Sequence, residues 1–376
     1  MKEKRYMNRQ KHNRVIISGG GTGGHIFPAI SVANALKKLD PAIEILFVGA
    51  EGRMEMEKVP AAGYEIVGLP VMGFNRKNIL KNITVLFRLL RSLRLARRIV
   101  KNFKPDVVVG VGGYASGPVL RIAGREGIPF LIQEQNSYAG VTNRLLARRA
   151  AAICVSYEGM EKYFPKEKII RTGNPVRQSF GDLQLIRDEA RKYFDLTDQS
   201  QVILVLGGSL GAGTLNKSLS ENLPVIMESG IQWIWQTGRY YFEDVNALVA
   251  VSGAGNIKVH EFINRMDLAF SAADIIISRA GAGTISELCL VGKPAILVPS
   301  PNVAEDHQTR NAQALIGKEA AILINDDKAV GSLVQTAISL VNDKPKRESL
   351  SSRIKELAEY DADLRIAREV MKLIKE

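Results

Sequence analysis

Twice in this chain an apolar, β-branched run empties into a glycine-rich loop and then enters a helix. Val15-Ile16-Ile17-Ser18 leads into Gly19-Gly20-Gly21-Thr22-Gly23-Gly24-His25, and Val202–Leu206 leads into Gly207-Gly208-Ser209-Leu210-Gly211-Ala212-Gly213. A short continuous apolar run bounded by glycine reads as a parallel strand buried on both faces. Glycine lets another molecule approach the backbone closely, and the N-terminus of the helix that follows favours an anion. Pro28, with Ile26, Ala29, Ile30, Ala33 and Leu36, predicts a helix that carries proline in its first turn. The first loop is therefore expected to be a phosphate cradle with His25 on its rim.

Alone, that loop is ambiguous. Gly19, Gly21 and Gly24 fit the G-x-G-x-x-G fingerprint, and Glu51 ends the next strand-like run where a ribose-binding acid belongs. A nicotinamide or flavin cofactor, another phosphate-bearing ligand and a tight turn that binds nothing all fit. The rest of the chain narrows the choice. Apolar runs at Glu44–Val48, Tyr64–Leu69, Asp106–Val111, Pro129–Gln133 and Ala151–Val155 alternate with helical stretches. After the second loop they recur at Ile231–Gln236, Asn256–Val259, Asp274–Ile277, Pro294–Val298 and Ala321–Ile324. The reading is α/β: two Rossmann-like domains whose parallel sheets face a central cleft. Residues 1–13 form a flexible basic lead-in, 14–175 the first domain and 176–353 the second. The amphipathic stretch from Ser352 to Lys375, a helix over about 354–376, either caps the second domain or crosses back onto the first.

Length, 376 residues, suits two domains. The start lacks the apolar core of a secretory signal, and Met7 is an alternative start. Cys154 and Cys289 sit in apolar contexts, as reduced thiols of a cytosolic protein do. Four histidines, at 12, 25, 260 and 307, show no ligand spacing, so no metal is expected, and because a nicotinamide would leave the second glycine loop unexplained no cofactor is expected either. A net charge of +12 calls for an anionic partner. No nucleic-acid-binding signature is present, which leaves an anionic membrane surface or anionic small substrates.

One stretch favours the membrane. From Ile79 to Arg98 the sequence has many large apolar residues, many cations and no acid. A helix packed on a sheet would account for one apolar stripe. The surplus at Ile79, Leu80 and Phe87 suits acyl chains, and Lys81, Arg88, Arg91 and Arg94 suit anionic headgroups.

Further polar or glycine-rich blocks end predicted strands, where α/β enzymes place function. Gly110-Val111-Gly112-Gly113-Tyr114-Ala115-Ser116-Gly117-Pro118 offers a second anion cradle in the first half. Gln133-Glu134-Gln135-Asn136-Ser137 suits sugar hydroxyls, although an ordinary loop would be polar too. Arg177, after Gly173-Asn174-Pro175-Val176, could clamp phosphate or lie on the surface. In Ser278-Arg279-Ala280-Gly281-Ala282-Gly283-Thr284-Ile285-Ser286-Glu287, N–H groups at a helix start suit a diphosphate and Glu287 suits both ribose hydroxyls. A capping box, Thr284 at N-cap with Glu287 at N3, competes with that reading. Asp306-His307-Gln308-Thr309-Arg310-Asn311 opens another helix with side chains able to read a sugar.

Together these blocks, with Glu261-Phe262-Ile263, resemble the MurG family of bacterial peptidoglycan synthesis, in family order from about residue 14 to about 315. The resemblance implies a GT-B fold and an inverting transfer of N-acetylglucosamine from UDP-N-acetylglucosamine. The acceptor would be the 4-hydroxyl of undecaprenyl-pyrophosphoryl-N-acetylmuramoyl-pentapeptide, on the cytoplasmic face of the bacterial cell membrane, with cell-wall synthesis and division proteins as possible partners. It further implies that Ser209 and Arg177 hold the donor diphosphate, that the main chain at Ile263 reads uracil, and that Glu287 reads ribose. Ala282, Gly283, Thr284, Ile285 and Ser286, with Gln308 and Asn136, would surround phosphate and sugar. Thr22, Gly23 and Gly24 would close over the donor, while Gly21, Gly112, Gly113, Tyr114 and Asn143 would meet the acceptor. Gln133 stands where many relatives carry histidine, and Gly283 where a large apolar residue is common. Inversion needs a base at the attacking hydroxyl. His25 is the candidate, because imidazole titrates near neutral pH, and Glu134 is the alternative. Three rivals remain: a UDP-sugar 2-epimerase of the same architecture, a nicotinamide dehydrogenase and a non-catalytic nucleotide-sugar-binding regulator.

Overall fold

The computed structural model describes residues 12–72, 82–176, 183–197 and 200–375. Ile79, Leu80, Lys81, Arg177 and most of the N-terminal lead-in lie outside them. Strands and helices alternate almost throughout. The strands are β1 (Arg14–Ser18), β2 (Glu44–Ala50), β3 (Glu65–Leu69), β4 (Val107–Gly110), β5 (Phe130–Glu134), β6 (Ala152–Val155) and β7 (Ile169–Arg171). They continue as β8 (Val202–Leu206), β9 (Gln232–Gln236), β10 (Ile257–His260), β11 (Ile275–Ser278), β12 (Ala295–Leu297) and β13 (Ile322–Leu323). The helices are α1 (Gly23–Leu39), α2 (Glu55–Ala61), α3 (Asn82–Phe103), α4 (Ser116–Arg125), α5 (Val141–Leu146), α6 (Arg187–Tyr193), α7 (Gly213–Ser220) and α8 (Leu223–Glu228). After them come α9 (Phe242–Ser252), α10 (Met266–Ala272), α11 (Ala282–Val291), α12 (His307–Ile316), α13 (Asp326–Asn342), α14 (Lys344–Glu356) and α15 (Ala362–Lys375).

The described residues fall into two compact units, one up to Val176 together with the chain from Asp361 on, the other up to Tyr360. In the first, seven parallel strands lie in the order β3-β2-β1-β4-β5-β6-β7. In the second, six parallel strands follow the order β10-β9-β8-β11-β12-β13. Strand order reverses at β1/β4 in one sheet and at β8/β11 in the other. The carboxyl ends of such a pair diverge and leave a crevice. All four glycine-rich loops follow one of these strands, so local sequence and topology converge on the same points.

The central strands are apolar on both faces because helices cover both. In the first unit Val15, Ile17, Val107 and Val109 join α1 and α15 on one side, while Ile16, Val108, Ile132 and Ile153 join α3 and α4 on the other. In the second, Val202, Leu204 and Ile276 pack with α6, α10 and α11, and Ile203, Val205 and Ile277 with α7 and α13.

Three expectations change. Pro28 lies in the second turn of α1, because the helix already begins at Gly23 inside the glycine loop. Proline carries no N–H, so the Gly24 carbonyl loses its i+4 donor. The edge strand β7 has no counterpart in the sequence reading; at three residues, preceded by Lys168 and ending in Arg171, it is too short for a periodicity to register. The C-terminal stretch is two helices, broken where Asp361 takes φ of 52°. α14 stays with the second unit through Leu350 and Ile354, whereas α15 returns to the first and buries Ile366, Ala367 and Val370 against α1. No helix among the described residues is long and apolar enough to cross a membrane.

Candidate active site

In the first unit the loops after β1 and β4 interlock. A Cβ added at Gly113, whose φ is +84°, would fall 2.2 Å from the Gly20 carbonyl oxygen, so only glycine permits this approach. Gly112 has the same role toward His25: a Cβ there would lie 2.8 Å from the ring Cδ2 and 2.9 Å from Nε2. The imidazole thus rests over the Gly112 backbone. Thr22 is the N-cap of α1, and its hydroxyl lies 3.2 Å from His25 Nδ1. If Nδ1 carries the proton and donates it to Thr22, the lone pair sits on Nε2.

Gly21 is bonded from within the protein. Its N–H donates to both carboxylate oxygens of Glu55, at 3.0 and 2.9 Å, and the Ala50 N–H donates to Oε1 at 2.9 Å. Glu55 is 1% exposed. The sequence reading passed it over.

A buried polar cluster lies at the carboxyl ends of β5 and β6. Glu134 Oε1 accepts from the Asn136 N–H at 3.1 Å and from Asn136 Nδ2 at 3.3 Å, and Oε2 accepts from the Gly140 N–H at 3.0 Å and Asn143 Nδ2 at 2.8 Å. Burial raises the Glu134 pKa above its ordinary value, and these donors pull it back. Asn143 Oδ1 is buried without a hydrogen-bond partner among the described residues. Gln135 donates to Gln133 and to the Val111 carbonyl, the latter at 2.8 Å. Gln133 Nε2 and the Ser156 hydroxyl both donate to Asn174 Oδ1. Gln133 is therefore part of an internal brace under the loop. Tyr114, in contrast, is exposed.

In the second unit the turn at Gly238 presses against the loop after β8, where a Cβ would come within 2.1 Å of the Gly211 nitrogen. Ser209 is exposed on that loop. α11 starts at Ala282 with Gly281 as N-cap and no side-chain cap, which removes the capping-box reading of Thr284 and Glu287. Glu287 lies a turn and a half into the helix. Gly283 and Thr284 sit in the first turn, where N–H groups lack intrahelical acceptors. Ile285 is different: its side chain is 2% exposed and its N–H donates to the Gly281 carbonyl at 2.9 Å. The Ile263 side chain is likewise in the core, in a segment outside helix and strand. Arg279 forms an ion pair with Asp326 and donates to the Val298 and Pro299 carbonyls. Thr214 donates to the other Asp326 oxygen at 2.9 Å, tying the loops after β8 and β11 to α13. Gln308 accepts from the Ser300 N–H at 2.8 Å. Before it, Glu305 and Asp306 both take left-handed backbone, with φ of 56° and 52°, a strain that clusters at ligand-holding segments.

Residues 15–155 match the glycosyltransferase family 28 N-terminal domain, and residues 202–366 match the C-terminal domain of that family. The chain is 57% identical over 361 residues to a Parabacteroides distasonis protein, covering 96% of this chain and 98% of that one. It is 59% identical over 365 residues to a Phocaeicola vulgatus protein, covering 97% of each. Both carry the name UDP-N-acetylglucosamine--N-acetylmuramyl-(pentapeptide) pyrophosphoryl-undecaprenol N-acetylglucosamine transferase. The crystal structure of Acinetobacter baumannii MurG superposes with a TM-score of 0.76 at 29% identity, over 96% of this chain and 99% of that one. Two parallel Rossmann-like units of this kind constitute a GT-B fold, and the chain belongs to the family of the UDP-N-acetylglucosamine--N-acetylmuramyl-(pentapeptide) pyrophosphoryl-undecaprenol N-acetylglucosamine transferases.

Proposed function

We infer that this chain transfers N-acetylglucosamine from UDP-N-acetylglucosamine to the 4-hydroxyl of undecaprenyl-pyrophosphoryl-N-acetylmuramoyl-pentapeptide, with inversion, in peptidoglycan synthesis. The observation that carries it is identity above 55% along nearly the whole chain to relatives of that name.

In this reading each unit supplies half of the chemistry. The second holds the donor: the first-turn N–H groups of α11 and the Ser209 loop take the diphosphate, and Glu287 takes the ribose. As the C1–oxygen bond breaks, the leaving UDP gathers charge, and a helix N-terminus stabilises it without having to reorganise. Arg177 adds a guanidinium to the same task. The first unit holds the acceptor over Gly112, Gly113 and Tyr114, and His25 Nε2 takes the proton of the attacking hydroxyl. A catalytic imidazole is oriented by a group bonded to its other nitrogen, as the carboxylate does in a Ser–His–Asp triad, and Thr22 supplies that orientation here. Glu134 is 2% exposed with donors on both oxygens, which favours it as the organiser of the loop to Asn143 rather than as the base.

Peripheral attachment to the cytoplasmic face of the membrane is part of the same proposal. On α3, Phe87 is 70% and Leu90 43% exposed, among exposed Arg88, Arg91 and Arg94. Val85, Ser92, Ala96 and Ile99 form the buried stripe on the same helix. Contacts with cell-wall synthesis and division proteins would follow from that location.

The test is UDP release from UDP-N-acetylglucosamine with and without the lipid-linked muramoyl-peptide acceptor. Acceptor-dependent release is the expected result. Acceptor-independent formation of an epimerised sugar would instead make the chain a 2-epimerase.

A further inference from the structure

A second cluster of cations lies in the second unit, at the end of the sheet away from the glycine loops. Gln201 and Asp274 precede β8 and β11, whereas Ser209 and Ala282 follow those strands. Five residues of β8 separate the two ends, roughly 17 Å at the rise of a strand. At the amino end a cavity of about 240 Å³ is lined by Arg187, Arg191 and Arg347, with Ser200, Gln201 and two aspartates.

Among the described residues the charges there do not balance. Arg187 donates to Asp274 Oδ1 at 2.9 Å, and the other Asp274 oxygen accepts from the Val202 N–H at 2.8 Å, so this carboxylate is fully engaged. Arg191 is 8% exposed. Its Nη2 donates to the Thr197 and Ser200 carbonyls, yet it has no carboxylate within ion-pair distance among the described residues. The Nε atoms of Arg191 and Arg347 are buried and have no hydrogen-bond partner among the described residues. Lys293 stands behind them, donating to the Ala273 carbonyl at 2.7 Å. A buried cation without a counter-ion is costly, and buried unpaired N–H groups call for a partner. Guanidinium forks suit the tetrahedral oxygens of phosphate, which they meet with paired hydrogen bonds.

We propose that this cavity is an anion site, separate from the donor site, that takes a phosphate-type dianion such as inorganic phosphate or pyrophosphate. The anion neutralises Arg191 and Arg347 and thereby stabilises the second unit by mass action, without entering the transfer reaction.

The experiment uses the full chain with saturating UDP, so that the donor site is filled. Thermal unfolding is followed while inorganic phosphate, and in a second arm pyrophosphate, replaces chloride at constant ionic strength. A saturable rise in Tm is expected, about 3 °C at ten times the dissociation constant. Arg347→Met should abolish most of that rise and leave acceptor-dependent UDP release unchanged. Arg191→Met tests the same cavity, and Arg347→Met covers the case in which its loss unfolds the unit. No saturable rise, an equal rise in Arg347→Met, or a rise that chloride reproduces would each overturn the proposal.

Discussion

Glu55 stands to Gly21 as a bound anion would: both of its oxygens take that residue's N–H from inside the protein. A Cβ at Gly20 or Gly49 would come within 2.1 or 2.6 Å of the same side chain, so the loop and the carboxylate are fitted to each other. The opening loop is then a rigid mount for Thr22 and His25, and its charge at Gly21 is already neutralised. Glu55→Ala leaves the buried Ala50 N–H without its acceptor and frees the part-buried Gly21 N–H, which costs about 1–3 kcal/mol. Turnover should fall by about tenfold or more while UDP affinity, which the proposed function assigns to the second unit, holds. Glu55→Gln keeps one oxygen for Gly21 and Ala50 and should recover much of the loss. Equal turnover in Glu55→Ala and the parent would show that the mount is dispensable.

His25 and Gly112 make a coupled pair. His25→Ala should lower kcat by about 10²–10⁴ with little change in UDP binding, the usual range for a positioned base. Gly112→Ala places a methyl where the imidazole rests, so it should mimic much of that loss while His25 is still present. Thr22→Val, which removes only the orienting hydroxyl, should cost less than either. Steady-state kinetics beside UDP calorimetry separates these outcomes; a normal kcat in His25→Ala would return the role of base to another group.

The fold was legible because its signals are local. Val15–Ile17 and Ile275–Ile277 are β-branched runs, each followed within a few residues by glycine, and both are 0% exposed central strands. The two glycine loops could likewise be read as heads of two domains. Glu55 could not, because it meets Gly21 across 34 residues of chain and its own neighbourhood reads as an ordinary helix start. Arg279 illustrates the related point that sequence shows a residue's type but not its direction. Its guanidinium turns to Asp326 and two carbonyls. Thr284 and Glu287 had the spacing of a capping box, but Gly281 with ψ of 143° starts α11 earlier.

The outer stripe of α3 makes a prediction about location. Changing Arg88, Arg91 and Arg94 together to Glu reverses three exposed cations without touching the buried stripe. Sedimentation with vesicles rich in anionic phospholipid should drop steeply, at about 1 kcal/mol per removed cation before the added repulsion. Turnover on a water-soluble acceptor analogue should be retained. Undiminished vesicle binding would remove α3 from the membrane contact.

α15 should act as part of the first unit's core even though it ends the chain. Ile366 is 0% exposed and packs with Ile26, Val32 and Leu36 in the same cluster. Ile366→Ala should destabilise the protein by about 2–4 kcal/mol, by lost transfer energy and the cavity left behind. Denaturant unfolding gives the number, and limited proteolysis should cut first after Glu356 in this variant. A loss below about 1 kcal/mol would mean that α15 contributes little to the unit.

Lys293 supplies a pH dependence of opposite sign to that of a paired lysine. Burial, reinforced by Arg187 and Arg347, brings its pKa from 10.5 down to about 8. Below about pH 8 both folded and unfolded chains hold the proton, and the folded state bears the full cost of the buried ammonium. Between about 8 and 10.5 the unfolded chain binds more protons, so this group makes stability rise with pH. Lys293→Met should therefore stabilise the protein by about 1–2 kcal/mol at pH 7 and flatten the rise between pH 8 and 10. Urea unfolding at several pH values tests both. A variant that is less stable at pH 7, with the slope unchanged, would show that the hydrogen bond to Ala273 outweighs the cost of the charge.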